Sequence, residues 1–294
     1  MIVSASPDSY RLAAETLLRG GLVALPTETV YGLAGLANDP DAVAAIYRLK
    51  GRPPTNPLIT HVTHPGQADD LGRMTATAQT LAGWGWPGPL TLVVERREAR
   101  DAASSGLGTI ALRCPDAPWR DYLPGPLVMP SANRSGHVSP TRAEHVRDDF
   151  GDDLLVIDAG PCPGGLESTV VRCFETRAHI LRPGAVTRDE LARLVPLGTG
   201  EEVGSPGLLL KHYAPAAPVR LNAVEAEANE TLLGYGEVRG DIHLGATPED
   251  AARALYAALR EADARGRPIA VAPIPEAGLG NAINDRLRRA ARGR

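Results

Sequence analysis

Lys50, Arg52 and Asn56 fall within KGRPPTNPL, two cations and an amide on one proline-stiffened loop. That set suits an anion. Other small polar or basic groups stand where apolar runs end. Thr27, Glu28 and Thr29 follow Leu22–Leu25, and His61 lies near the end of Leu58–Val62. Thr109 and Arg113 share one run at spacing four, so both face the same side of a strand. Ser131 and Asn133 follow Leu127–Met129. Ser139, Pro140 and Thr141 precede a helical pattern, whose free amides favour an anion. Ser168 and Thr169 come after Gly164 and Gly165, and Arg182 ends the run His179–Leu181. Any one of these is more often turn chemistry, a helix cap or a solvated arginine. The whole set is harder to dismiss, because open sheets bind ligands at strand ends. Hydroxyls, an amide and several cations would take a triphosphate and a small zwitterion.

Of the 31 Lys and Arg residues, only Lys50 and Lys211 are lysine. A compact ammonium surviving where arginine is otherwise universal marks Lys50, among such neighbours, as functional; for Lys211 chance survival is an equal reading. No Ser-His-Asp or Cys-His grouping and no obvious carboxylate pair is present, and neither GxxxxGK[ST], HExxH nor paired CxxC occurs. Gly83, Gly85 and Gly88 spell GxGxxG, but they precede a strand and Pro87 stands where a helix would open, so no dinucleotide fingerprint results. His61 and His64 would point apart and make a poor metal pair. Positioning and charge neutralisation remain, as in phosphoryl and nucleotidyl transfer.

These groups need a scaffold. Helices are predicted at Pro7–Arg19, Asp39–Lys50, Thr75–Gly83, Thr141–Phe150 and Thr187–Leu194, with Asn38–Pro40 opening the second and Gly51 closing it. Further strands are predicted at Tyr31–Gly35, Leu90–Glu95, Leu154–Asp158 and Ser168–Cys173. Strands and helices alternate without a strict βαβ rhythm, which implies a mixed sheet with helices on its faces. The composition shifts after Val195. Residues 1–195 read as one unit, and 196–218 as a linker carrying SPGLLLKHYAP (Ser205–Pro215). Residues 219–294 read as a small α/β domain, marginal alone, with a segment at Val219–Leu221, a helix Pro248–Ala264, a strand Ile269–Ala272 and a last helix from Gly278. The closing arginines, Arg286, Arg288, Arg289, Arg292 and Arg294, read as a solvated helix end.

At 294 residues and 43% hydrophobic, the chain can fill one large or two modest cores, though aromatics at 4% leave that task to Val, Leu and Ala. A net charge of −4 argues against a wholesale polyanion binder but permits a local basic cleft. Three cysteines without a CxxC pair point to reduced thiols and a cytoplasmic setting. Asp8 and Arg11 arrive too early for a signal peptide, and no apolar run reaches membrane-spanning length, so no membrane association is expected.

The stretches PTETVYGL (Pro26–Leu33), KGRPPTNPL (Lys50–Leu58), PLTLVV (Pro89–Val94), TIALRCP (Thr109–Pro115), PSANRSGHVSPT (Pro130–Thr141), ESTVV (Glu167–Val171) and LRPG (Leu181–Gly184) together resemble the threonylcarbamoyl-AMP synthase family. The linker motif and GLGNAINDRL (Gly278–Leu287) resemble its two-domain form. The resemblance implies a YrdC-like twisted mixed sheet with flanking helices and a small Rossmann-like C-terminal α/β domain. It implies a nucleotidyltransferase that converts L-threonine, bicarbonate and ATP into threonylcarbamoyl-AMP and pyrophosphate, for the threonylcarbamoyl modification of tRNA adenosine beside the anticodon. By position, Thr29, His61, Arg113 and Ser168 would hold threonine. Lys50, Arg52, Asn56, Thr109, Ser131, Asn133, Ser139, Arg182 and Tyr213 would hold ATP, with Lys50 and Arg52 neutralising the phosphates, Mg²⁺ arriving on the nucleotide, and the linker closing as a lid. A tRNA-modifying transferase complex would take the product. No residue of the small domain is carried into the site. Two rivals remain: a non-enzymatic factor binding double-stranded RNA by shape, and a hydrogenase-maturation carbamoyltransferase, whose acylphosphatase-like and zinc-binding segments are absent here.

Overall fold

The computed structural model describes residues 1–97, 102–198 and 213–293. Lys211, His212 and the linker motif up to them, and so most of the expected lid, lie outside the described residues. The first unit runs β1 (Ile2–Ser4), α1 (Pro7–Leu18), β2 (Val23–Leu25), β3 (Gly32–Leu36), α2 (Pro40–Lys50), β4 (Ile59–His61), α3 (Ala68–Leu71), α4 (Ala76–Gly85), β5 (Leu90–Glu95) and β6 (Thr109–Arg113). It continues through β7 (Leu127–Val128), α5 (Ala143–Phe150), β8 (Leu155–Asp158), β9 (Thr169–Cys173), β10 (Ala178–Arg182) and α6 (Arg188–Ala192). The second unit holds β11 (Val219–Leu221), β12 (Thr231–Gly234), β13 (Ile242–His243), α7 (Pro248–Ala264), β14 (Ile269–Val271) and α8 (Gly280–Ala290).

Local chemistry sets the helix ends. Ser6 and Ser9 make a reciprocal capping box ahead of α1. Asp39 caps the amides of Asp41 and Ala42, and α2 stops at Gly51, whose φ of 63° is natural only without a Cβ. β1, β12 and β13 are not among the predicted strands, because runs of two to four residues carry no readable period. One expectation fails: Ser139–Thr141 do not cap a helix. Arg142 occupies that position for α5 and supplies no side-chain bond, while Ser139 turns inward to a carboxylate.

Among the described residues, the large sheet has ten strands in the order β1-β8-β2-β3-β7-β4-β6-β5-β9-β10 and mixes both directions. Strand alternation sorts its faces. Leu90, Leu92, Val94, Ile110, Leu112 and Val171 pack toward α4 and α6. Val93, Ala111, Val170 and the partly buried Ile59 form a smaller patch on the other face, which the site occupies. The second sheet, β11-β14-β12-β13, is parallel throughout, in keeping with a Rossmann-like unit. Its core is not closed on itself. Leu233, Leu255, Leu259 and Ile283 pack in one cluster with Val30, Val138 and Leu166 of the first unit. Burial shared across the junction compensates for the small size of the second unit. The expected solvated arginine end also fails in part: Arg286 is fully buried between the units.

Candidate active site

A cavity opens where the strand ends meet. The parallel register of β4 and β6 sets His61 beside Arg113. The loops after β2 and β7 bring Thr29 and Ser131, the residue before β9 is Ser168, and the end of β10 is Arg182. Arg52 and Tyr213 complete the polar wall. Eight of the expected residues, drawn from positions 29 to 213, therefore converge on one volume.

Hydrogen bonds fix what each group offers. Thr27 Oγ1 donates to the Val30 carbonyl, so the Thr29 hydroxyl, 2.7 Å away, must donate to Thr27 and keeps its lone pairs for the cavity. His61 Nδ1 lies 3.2 Å from the Ile59 carbonyl, which can only accept, so Nδ1 carries the proton and Nε2 is an acceptor. Burial, aided by the Arg113 charge, pushes the His61 pKa well below the usual value and keeps the ring neutral. Arg113 donates from Nε to the Gly88 carbonyl and pairs with Glu28 at 2.7 Å. Arg182 grips Ser168 at its carbonyl and hydroxyl, and Ser168 Oγ meets Thr91 Oγ1 at 2.7 Å.

Three guanidiniums thus line the wall. Arg52 is half-buried and bonded to the Asn56 and Pro57 carbonyls. Burial lowers its pKa to about 10, still far above neutrality. Fixed cations set among buried walls are less screened by solvent than at an open surface.

Five expected residues do not line the cavity. Lys50 is buried behind it and donates to the Ser131 and Asn133 carbonyls, so it clamps the loop that carries Ser131. Burial, reinforced by Arg52, lowers its pKa well below the usual lysine value. Asn133 is directed into its own loop: its amide nitrogen donates to the Arg134 and His137 carbonyls, and its oxygen accepts from Ser131. Asn56 accepts at its backbone carbonyl from Tyr47 and Arg52. Ser139 Oγ donates to Glu167 at 2.6 Å. Thr109 shares the face of Arg113 but lies at the opposite end of β6, on the side of Pro57.

Sequence reasoning missed a supporting layer. Glu28, quoted only within a polar cluster, holds Arg113. Glu167 lines the cavity and accepts from Ser139, from Tyr256 on α7 at 2.8 Å and from Arg286 on α8 at 3.0 Å. Burial raises its pKa, but the Arg286 and Arg182 charges and the Ser139 and Tyr256 bonds outweigh that and bring it down to about 2. The second unit therefore does reach the site wall. The available signal was a carboxylate set between Leu166 and the apolar β9, a place that demands a partner.

Among the described residues, no group of three His, Cys, Asp or Glu could hold a metal ion, and no helix is long and apolar enough to cross a membrane.

Comparison with known proteins adds independent findings. Residues 15–184 match the Sua5/YciO/YrdC family model, described as telomere recombination, and residues 186–292 match the threonylcarbamoyl-AMP synthase C-terminal domain. The chain is 37% identical to the threonylcarbamoyl-AMP synthase of Pyrococcus abyssi, over 96% of this chain and 93% of that protein. It is 36% identical to the Bacillus subtilis protein of the same name, over 99% and 95%. The crystal structure of P. abyssi Sua5 complexed with L-threonine superposes with a TM-score of 0.89 at 34% identity, covering 99% of this chain and 97% of that one.

Proposed function

The chain belongs to the threonylcarbamoyl-AMP synthase family in its two-domain form, and on that premise we propose how its cavity carries the synthesis. The enzyme makes threonylcarbamoyl-AMP and pyrophosphate from L-threonine, bicarbonate and ATP, toward the threonylcarbamoyl modification of tRNA. The alternative of a non-enzymatic RNA-binding factor has no support among these relatives.

The observation that carries the site assignment is the convergence of Thr29, His61, Arg113 and Ser168 with Arg52, Ser131, Arg182 and Tyr213 in one cavity. Arg113, oriented by Glu28 and the Gly88 carbonyl, pairs with the threonine carboxylate. Thr29 and neutral His61 offer acceptors to the threonine amine and hydroxyl. Ser168, held by Arg182, completes that side. Threonine's amine adds to the CO₂ that bicarbonate releases and loses a proton to the hydroxide left behind, giving a carbamate and water; the carbamate reverts once protonated in water, so the buried walls protect it. A carbamate oxygen then attacks the α-phosphorus, the bond to the bridging oxygen breaks, and its electron pair leaves with pyrophosphate. Arg52 and Arg182 neutralise the phosphates in place. Lys50 holds the Ser131 loop in place from behind. Mg²⁺ is assigned to the nucleotide, whose phosphate oxygens are its natural ligands.

Residues 1–195 are the catalytic unit in this reading, with 196–218 linking it to 219–294 as a supporting domain. A mixed anhydride hydrolyses in water, so a tRNA-modifying transferase is assigned as the partner that consumes the product. Pyrophosphate release from ATP and bicarbonate tests the assignment, with threonine, serine or no amino acid present. Release should require threonine and weaken with serine. Equal release without an amino acid would overturn the reading.

A further inference from the structure

Arg286 lies on α8 and is fully buried, and apart from its helix neighbour Asp285, at 2.9 Å, it meets groups of the first unit and the linker. Its Nε donates to Glu167, next in sequence to Ser168. One terminal nitrogen donates to the Pro183 carbonyl at 2.8 Å, one residue beyond Arg182. Its guanidinium lies 5.3 Å over the ring of Tyr213, whose other ring neighbour is Tyr256 at 5.8 Å. Tyr256 in turn donates to the same Glu167 oxygen. Each of the three segments so held contributes a wall residue of the cavity: Ser168, Arg182 and Tyr213. Tyr213 also sits at φ 63°, a backbone state a non-glycine residue keeps only when its surroundings impose it.

Resting on the functional reading above, we propose that Arg286 is a positioning residue of the synthetic site, one guanidinium of the second domain that keeps three wall segments in register, two of them on the ATP side. A planar fork suits this task. It can donate along two directions and lie flat on an aromatic ring at once, which an ammonium cannot. The second domain is then a working part of the site and its docking a condition of turnover. The alternative is a structural tie only, holding two units together with no bearing on substrate.

The test uses the full-length protein and the variants Arg286→Lys and Tyr256→Phe. Tyr256→Phe keeps the ring against Tyr213 and removes only the donor to Glu167. Threonine-dependent pyrophosphate release is measured against ATP and against threonine, with thermal unfolding alongside. Two of the three held segments are on the assigned nucleotide side. Arg286→Lys should therefore lower kcat/KM for ATP about 10- to 100-fold, the scale of a misplacement near 1 Å, while KM for threonine stays within about twofold. Tyr256→Phe should show the same pattern at roughly 3- to 10-fold, one charge-assisted hydrogen bond being lost. If Arg286→Lys does not fold, Tyr256→Phe decides alone. An active parent whose folded variants melt earlier but keep both KM values and kcat overturns this inference and leaves the functional reading standing. A parent without threonine-dependent release overturns the functional reading, and this inference with it.

Discussion

Gly184→Ala is the sharpest probe of whether the site wall is rigid where the reaction needs it. Gly184 is buried in the turn after β10. A Cβ there would stand 2.4 Å from the Thr169 amide nitrogen, 2.6 Å from the Glu167 carbonyl oxygen and 2.6 Å from the Ser168 carbonyl carbon. Ordinary contacts begin near 3.5 Å, so about 1 Å of displacement is required. All three atoms are backbone and no side chain can swing aside. Thr169 is tied into the parallel β5–β9 pairing through the Pro89 carbonyl, and Ser168 is gripped by Arg182. The shift must therefore pass into Ser168 and Arg182, which line the cavity. Overpacking of this kind costs about 1–3 kcal/mol of stability. A misplacement of about 1 Å at a reacting site costs on the order of 100-fold in rate, so kcat/KM in pyrophosphate release should fall roughly 10- to 100-fold. The control is Gly83→Ala, exposed within α4 with open space around its Cβ, which should leave activity unchanged and gain about 0.5–1 kcal/mol. A folded Gly184→Ala enzyme with the parent's kcat/KM would refute the reasoning.

Three further outcomes follow from the same contacts. Arg113→Lys keeps the charge but loses the fork that meets Glu28, the Gly88 carbonyl and a carboxylate together, so KM for threonine should rise at least about 10-fold in steady-state kinetics with KM for ATP little changed. Gly165→Ala should destabilise the chain by roughly 2–4 kcal/mol in denaturant unfolding, because Gly165 has φ 71° and its Cβ would lie 2.3 Å from the Ala252 carbonyl oxygen of α7; an unchanged midpoint would mean the units do not pack as seen. His145 is held at a pKa of about 3 by burial and the Arg260 and Arg142 charges, and His61 is lowered as well. Both are neutral in the folded chain and protonate only on unfolding at mildly acid pH. Stability is therefore full above pH about 6.5 and falls as pH drops toward 3, by at most about 1.4 kcal/mol per pH unit for each histidine. His145→Asn should flatten that slope between pH 6.5 and 5 in denaturant titrations, and an identical slope would count against the assignment.

Much of this protein was legible in its residues alone. The α2 pattern, from Asp39 and Pro40 to Gly51, states a helix with both ends marked, and the helix forms there. Short apolar runs at Leu90–Glu95 and Thr109–Arg113 state two strands over the same spans, and the spacing of four already put Thr109 and Arg113 on one face. Periodicity, caps and turn residues are local physics, set within a few positions, and a sequence displays them directly. Which polar groups would line a cavity was not local. Lys50, Asn133 and Ser139 looked like ligands by type and neighbourhood, but each finds its partners inside the wall. Arg286 looked like a solvated charge at a chain end, yet it is fully buried against Glu167, 119 residues away. The type of a polar residue says what it can bond to, while its burial and its partner are settled only when distant segments pack. Leaving a charge buried and unpaired costs too much for the choice to be free.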